Sequence, residues 1–172
     1  IDAHCDLRDS YEGFIYSHAS IMFNVLKEIP QMQKLVQFGI RDYSLGEYQL
    51  IQQSKDRVRT YFDKEIRVRQ YEGETFRQIV DEVVTQLPEK VYISFDIDGL
   101  DPKLCPNTGT PVQGGFETEQ VFYLFDKIAG AGKKIIGFDL SEVSTSENEW
   151  DANVGARVLF KLCNLMVASN PA

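Results

Sequence analysis

The sequence predicts an α/β fold, a mostly parallel sheet carrying helices on its faces. Strand-patterned and helix-patterned segments alternate along the chain, at lengths that suit β–α–β units. The clearest strand, K-V-Y-I-S-F-D-I-D over 90–98, sits between an amphipathic helix that ends at Pro88 and a helix over 118–129. In such sheets ligands bind at the carboxyl ends of the strands, so chemistry is expected where a strand runs out into its loop.

The elements follow in order. S-H-A-S-I-M-F-N-V-L-K-E-I, 17–29, carries apolar residues at helical spacing and stops before Pro30. K-L-V-Q-F-G-I, 34–40, reads as a buried strand, 46–54 as a short helix, and V-R-T-Y-F, 58–62, as a second strand. No element is assigned over 63–73. A longer amphipathic helix covers 74–87 and is closed by Pro88. After the strand at 90–98 come the helix at 118–129, the strand K-K-I-I-G-F-D-L at 133–140, and a last helix over 152–167.

With 172 residues, 43% of them hydrophobic, the chain suits one domain with a sizeable core, and no boundary is placed within it. Its 18 Lys and Arg against 26 Asp and Glu leave a net charge of −8, which lacks the electrostatic footprint of a nucleic-acid binder. Such a charge serves solubility, or gathers carboxylates to hold cations. No apolar run approaches the roughly 18 residues of a membrane span. Cys5, Cys105 and Cys163 are an odd, scattered set, which argues for a reducing compartment, the cytoplasm, and against disulfides or a thiolate zinc site. Residue 1 is Ile rather than Met, so it need not be the natural start.

Two acidic stretches carry the chemistry. In I-D-A-H-C-D, 1–6, the period of extended backbone turns Asp2, His4 and Asp6 the same way. In S-F-D-I-D-G-L-D-P, 94–102, the same period puts Asp96 and Asp98 on one face, with Phe95 and Ile97 on the other. A lone D-x-D at a strand end also serves as a turn or helix cap. Two such stretches on one fold bring four carboxylates and an imidazole toward one crevice, where bare charges would repel and some would protonate. A pair of divalent cations removes that conflict. Oxygen-rich donors with an imidazole suit Mn²⁺, Mg²⁺ and related cations, and a two-metal clamp can turn a bridging water into a nucleophile.

D-A-H-C-D and S-F-D-I-D-G-L-D-P resemble two signature motifs of the ureohydrolase family: arginases, agmatinases, guanidinobutyrases and formimidoylglutamases. The likeness continues through G-I-R-D-Y-S (39–44), T-G-T-P-V-Q-G-G (108–115) and F-D-L-S-E-V (138–143), in order over essentially the whole chain. It implies a three-layer α/β/α, arginase-like fold. It also implies a binuclear manganese site whose bridging hydroxide attacks a guanidinium carbon, releasing urea and an amine. By the same resemblance Asp2 and Asp96 bridge both ions, Asp6 completes one shell, and His4 with Asp98 completes the other. Asp98 is also counted with the catalytic groups. Glu142 grips the guanidinium, His18 shuttles protons at the entrance, and Thr110, Gly114 and Gly115 form the loop beside the site. Read from the residues alone, His18 is an N-terminal helix residue, Glu142 a carboxylate after a strand, and the glycines are turn formers.

The family's other metal-binding histidine lies upstream, in a G-G-D-H motif that these residues do not contain; His4 and His18 are the two histidines. The chain is therefore expected to be the carboxyl-terminal portion of a single ureohydrolase domain, lacking its N-terminal strands. With one metal site incomplete, this piece alone is expected to hold at most one ion well and to have little activity. Arginases typically show R-D-V-D where this chain has Arg41-Asp42-Tyr43-Ser44, and the Asp that meets the substrate α-amino group is here Ser44. Agmatine, which lacks the α-carboxylate, is thus the favoured substrate, ahead of arginine, guanidinobutyrate or formimidoylglutamate. A two-metal phosphoesterase is the competing enzyme reading, with Arg8 and Arg41 as its basic candidates. An inactive subunit or scaffold is the third. The family's habit of forming trimers or hexamers implies a homo-oligomer, with no nucleic-acid or membrane partner.

Overall fold

The computed structural model describes residues 1–145 and 147–171. Its elements are α1 (Ile21–Glu28), β1 (Leu35–Ile40), α2 (Leu45–Gln53), β2 (Val58–Phe62), α3 (Asp63–Tyr71), α4 (Phe76–Gln86), β3 (Lys90–Asp96), α5 (Thr118–Gly130), β4 (Lys134–Ser141) and α6 (Trp150–Ser169). β1 pairs in parallel with β2, from Leu35 opposite Val58 to Ile40 opposite Phe62. β3 pairs in parallel with β4, from Lys90 opposite Lys134 to Asp96 opposite Ser141.

Residues 1–4 join these two pairs. The Asp96 N–H donates to Ile1 O at 2.9 Å, and the Ile1 ammonium donates to Ser94 O at 2.8 Å. On the other side the N–H groups of Arg41 and Asp42 donate to Ala3 O at 2.8 and 2.9 Å. The spatial order is therefore β2, β1, the opening segment, β3, β4. The opening stretch lies in the middle of the layer, which is what brings its acids beside those of β3.

A register slip between Phe38 and Ile40 falls at Gly39, whose φ is +100°. The bulge sends Phe38 and Ile40 to opposite faces. Phe38 joins the larger core with Ile66 of α3, Ile79, Val80, Val83 and Val84 of α4, and the buried stripes of α5 and α6. Val91, Ile93 and Phe95 of β3 point into that same core. Ile40 joins a smaller cluster with Cys5, Leu7, Ile51, Val58 and Phe62, closed by Met22 and Leu26 of α1. Helices thus cover both faces of the β1–β2 pair, in three layers. Each fully buried aliphatic or aromatic side chain of this kind contributes roughly 1.5–3 kcal/mol.

The predicted elements are present with ends moved by a residue or two. Three expectations need correction. The strand predicted through residue 98 ends at Asp96, and Ile97–Gly99 form a 3₁₀ turn. The unassigned stretch at 63–73 contains α3, which follows β2 without a connecting residue. Asp-Lys-Glu-Ile-Arg-Val-Arg-Gln-Tyr buries one apolar side chain, Ile66, so it presents no stripe for a periodicity argument. The predicted helix over 17–29 is a 3₁₀ turn at His18–Ser20 followed by α1.

Candidate metal centre

In the opening segment Ala3, Cys5 and Leu7 are buried, while Asp2, His4 and Asp6 between them are half-buried. The expected alternation holds, although only His4 makes a bridge, to Asp42. The segment departs from extended backbone at Asp6, whose φ is +53°. Its carbonyl accepts two N–H groups from the first turn of α1, Met22 at 3.0 Å and Phe23 at 3.2 Å, and these bonds fix the bend.

Asp96 and Asp98 reach the same cleft by a route that strand alternation does not describe. Asp96 Oδ1 accepts the Asp98 N–H at 3.0 Å, capping the 3₁₀ turn that swings Asp98 inward. Asp96 thus caps the turn and also lines the cleft with Asp98. Asp98 Oδ1 in turn accepts the Ala3 N–H at 3.1 Å, stitching the two acidic segments together.

Eight of the residues singled out from the sequence, Asp2, His4, Asp6, His18, Asp96, Asp98, Thr110 and Glu142, line one cavity of about 210 Å³. Within it, one donor atom from each of Asp2, His4 and Asp98 lies within 4.8 Å of the others. His4 Nδ1 is 3.1 Å from Asp98 Oδ2 and 3.5 Å from Asp2 Oδ1. Asp98 Oδ2 is buried and makes no hydrogen bond of full geometry, with the His4 ring as its charged neighbour. Two donor atoms this close and not bonded to each other suit ligands sharing one cation, since metal–ligand bonds of roughly 2.1 Å set neighbouring donors about 3 Å apart. The residues fit a metal ion. Asp6 and Asp96 line the same cavity outside this tight trio, and Asp96 Oδ2 lies 3.3 Å from Ser141 Oγ.

The electrostatics agree. Asp2 and then Asp98 beside the ring raise the His4 pKa to about 10. Burial, then the charge of Asp2, pushes Asp6 and Asp96 up to about 8. Burial also raises Asp2. Asp98 is the exception: burial opposes its ionisation, but the adjacent His4 ring and the Ala3 N–H outweigh it and hold it below the usual range. In the metal-free protein the His4 imidazolium is the cation that the carboxylates surround.

The rim residues come from three separate segments. Glu142 follows β4, is exposed, and has a left-handed φ of +58°. His18 opens the 3₁₀ turn before α1, exposed, with its ring edge-on to Tyr11 at 5.4 Å. Thr110 is exposed in the loop after β3. Gly114 and Gly115, with φ of +98° and +89°, pack on Asp63, Arg41 and Leu100 as turn residues and do not line the cavity. The Arg41 guanidinium donates to the carbonyls of Gly39, Asp98, Leu100 and Val112, a strut beneath the site.

Asp42, Glu47, Tyr11 and Ser141 also line the cavity and were not singled out as site residues from the sequence. Glu47 had a legible signal, the S-x-x-E capping box that opens α2. Its carboxylate accepts from the Ser44 N–H and hydroxyl at 2.8 Å and from the Leu7 N–H at 3.0 Å.

A parallel α/β sheet whose strand ends gather buried acids around an imidazole defines an α/β protein with a candidate metal site. The chain belongs to the arginase family, whose model matches residues 1–164. That family is metal-dependent. The N(1)-aminopropylagmatine ureohydrolase of Thermus thermophilus is 37% identical over 145 residues, 84% of this chain and 45% of the relative. The agmatinase of Pyrococcus horikoshii is 38% identical over 144 residues, 83% of this chain and 45% of the relative. The structure of proclavaminate amidino hydrolase from Streptomyces clavuligerus superposes with a TM-score of 0.79 at 25% identity, over 98% of this chain and 54% of that one. The chain spans about half the length of the curated relatives it matches.

Proposed function

We propose that the whole protein is a binuclear-manganese ureohydrolase that releases urea from a small guanidine, agmatine in the first place. The observation that carries this reading is the orphaned Asp98 Oδ2, buried beside His4 and Asp2 in a cleft that also holds Glu142. A buried carboxylate oxygen without a hydrogen bond depends on a neighbouring cation, and a metal ion taking the place of the His4 proton would serve it. Asp2, His4, Asp6, Asp96 and Asp98 would hold the ions, and this oxygen-rich set suits manganese. Bound there, the ions would supply a water acidic enough to act as a nucleophile near neutral pH.

The remaining work falls to this chain's own side chains. Glu142 accepts paired hydrogen bonds from the planar guanidinium and turns its central carbon toward the carboxylates. Asp98 accepts the proton released as water adds to that carbon. His18, exposed at the rim, carries protons between cleft and solvent and delivers one to the departing amine. Thr110 borders the guanidinium pocket.

The substrate tail follows from what is left free. Ser44 is committed to capping α2, so it is not available to an α-amino group. The names of the agmatinase and aminopropylagmatine ureohydrolase relatives point the same way. A phosphoester substrate fits poorly, because Arg41 spends its guanidinium on carbonyls and Arg8 lies 3.7 Å from Glu47 and over Tyr11. The test is urea release by the full-length, manganese-loaded protein from agmatine, N(1)-aminopropylagmatine and arginine in parallel, beside phosphate release from a generic ester. Agmatine or its aminopropyl derivative should exceed arginine by at least about a hundredfold in kcat/KM. Absence of urea from every guanidine would overturn the reading.

A further inference from the structure

Glu142 holds a backbone conformation that residues with a side chain adopt only where their surroundings impose it. Those surroundings are specific. The Thr108 hydroxyl, buried at 5% exposure, donates to the Glu142 carbonyl at 3.0 Å. Next to it, a Cβ on Gly109 would lie 3.3 Å from Glu142 Oε2, so the carboxylate rests against the glycine backbone. From the other side α6 presses on the neighbouring Val143, where a Cβ on Gly155 would come within 2.9 Å of Val143 Cγ1.

The loop that carries Thr108 is itself anchored. Asp151, in the first turn of α6 and fully buried, accepts the Asn107 N–H at 3.0 Å and its side-chain amide at 2.7 Å. Asp151, Asn107, Thr108 and Glu142 thus form a continuous connection from a helix of the core to the cleft.

We propose that Thr108, latched through Asn107 to Asp151, is a positioning residue that fixes the left-handed backbone of Glu142 and so aims its carboxylate at the guanidinium of the substrate. Thr108 itself does not line the cavity; it acts through Glu142. The inference rests on the ureohydrolase reading above for the identity of the ligand. A small, rigid, planar cation gripped by two oxygens is sensitive to orientation, because both hydrogen bonds are satisfied together or not at all.

Thr108→Val keeps the shape and removes the hydroxyl, Thr108→Ser keeps the hydroxyl, and Asn107→Ala loosens the latch while leaving the backbone bond to Asp151. In the full-length, manganese-loaded protein, guanidinium chloride binding is measured by calorimetry and hydrolysis by steady-state kinetics, with metal content measured in each variant. Thr108→Val should weaken guanidinium binding and raise KM by about tenfold, with kcat and metal content kept within about twofold, the pattern of lost uniform binding. Thr108→Ser should restore both, and Asn107→Ala should shift both by about threefold in the same direction. Unchanged KM and guanidinium affinity in Thr108→Val would overturn the proposal, as would a loss that Ser does not rescue. Should Thr108→Val fail to fold, the Asn107→Ala result decides by the same criteria. A wild type that binds guanidinium in a Thr108-dependent way but releases no urea would refute the hydrolase reading and leave the positioning role standing; one that does neither refutes both.

Discussion

Loading the centre with manganese at neutral pH should expel protons, and the structure sets how many. His4, raised to about 10, holds essentially one whole proton at pH 7 in the metal-free protein. Asp6 and Asp96, raised to about 8, hold about nine-tenths of a proton each at that pH. A metal needs the imidazole neutral and the carboxylates ionised, so binding should release at least about two protons at pH 7, with Asp2, also raised by burial, adding to them. The logarithm of the metal affinity should rise with that same slope per pH unit. By pH 9 Asp6 and Asp96 have largely ionised, so the number released should fall by between about one and two protons, while that of His4 is still to be released. The assay is isothermal titration of Mn²⁺ in buffers of different ionisation enthalpy, at pH 7 and pH 9.

The signs carry over to stability. The contribution of His4 is full below about 6.5 and is lost as pH rises through about 10. The buried carboxylates of Asp6 and Asp96 favour the protonated form, so the folded state loses stability as pH rises from the ordinary Asp value of 3.8 toward about 8. Both effects weaken the metal-free protein in alkali, and the thermal stabilisation conferred by manganese should be larger at pH 8.5 than at pH 5.5. Release below about half a proton at pH 7, or release that does not decline between pH 7 and 9, would refute the assignment of these side chains as ligands.

Two further predictions concern the scaffold. Ile66 is 1% exposed and is the buried apolar side chain that α3 gives to the main core; Ile66→Ala should cost about 2–5 kcal/mol in urea unfolding, and a loss under about 1 kcal/mol would contradict the packing described. Glu47, 4% exposed, links the cap of α2 to the Leu7 N–H next to Asp6. Glu47→Ala should therefore destabilise by about 1–3 kcal/mol in the same assay, with Glu47→Gln milder, and equal losses in the two variants would argue against hydrogen bonding as the cause.

How much of this was legible beforehand depends on the range of the interaction. β2 is bounded as its V-R-T-Y-F run suggested, because β-branched and aromatic residues declare a strand within a few positions. The helix before Pro88 was legible from its 3.6-residue stripe, Ile79, Val80, Val83 and Val84. α3 was not, since one buried isoleucine among charges leaves no local pattern. Alternation along an extended strand points Asp98 into the cleft, whereas a turn capped by Asp96 is what brings it there. Arg41, offered as a basic group for chemistry, spends its donors on backbone carbonyls, which only folded coordinates reveal.

The sequence by itself determined the alternating elements and the kinds of side chain at the strand ends, because both are written in neighbours a few residues apart. Only the tertiary structure decided that Asp2 and His4 meet Asp98 across 95 residues at the Ala3 N–H, that Asp98 Oδ2 is left without a partner, and that a loop and α6 hold Glu142 in a left-handed turn. Periodicity fixes which way a side chain leaves its own element. Where distant elements come to lie beside one another follows from the packing of the whole core, which no local window contains.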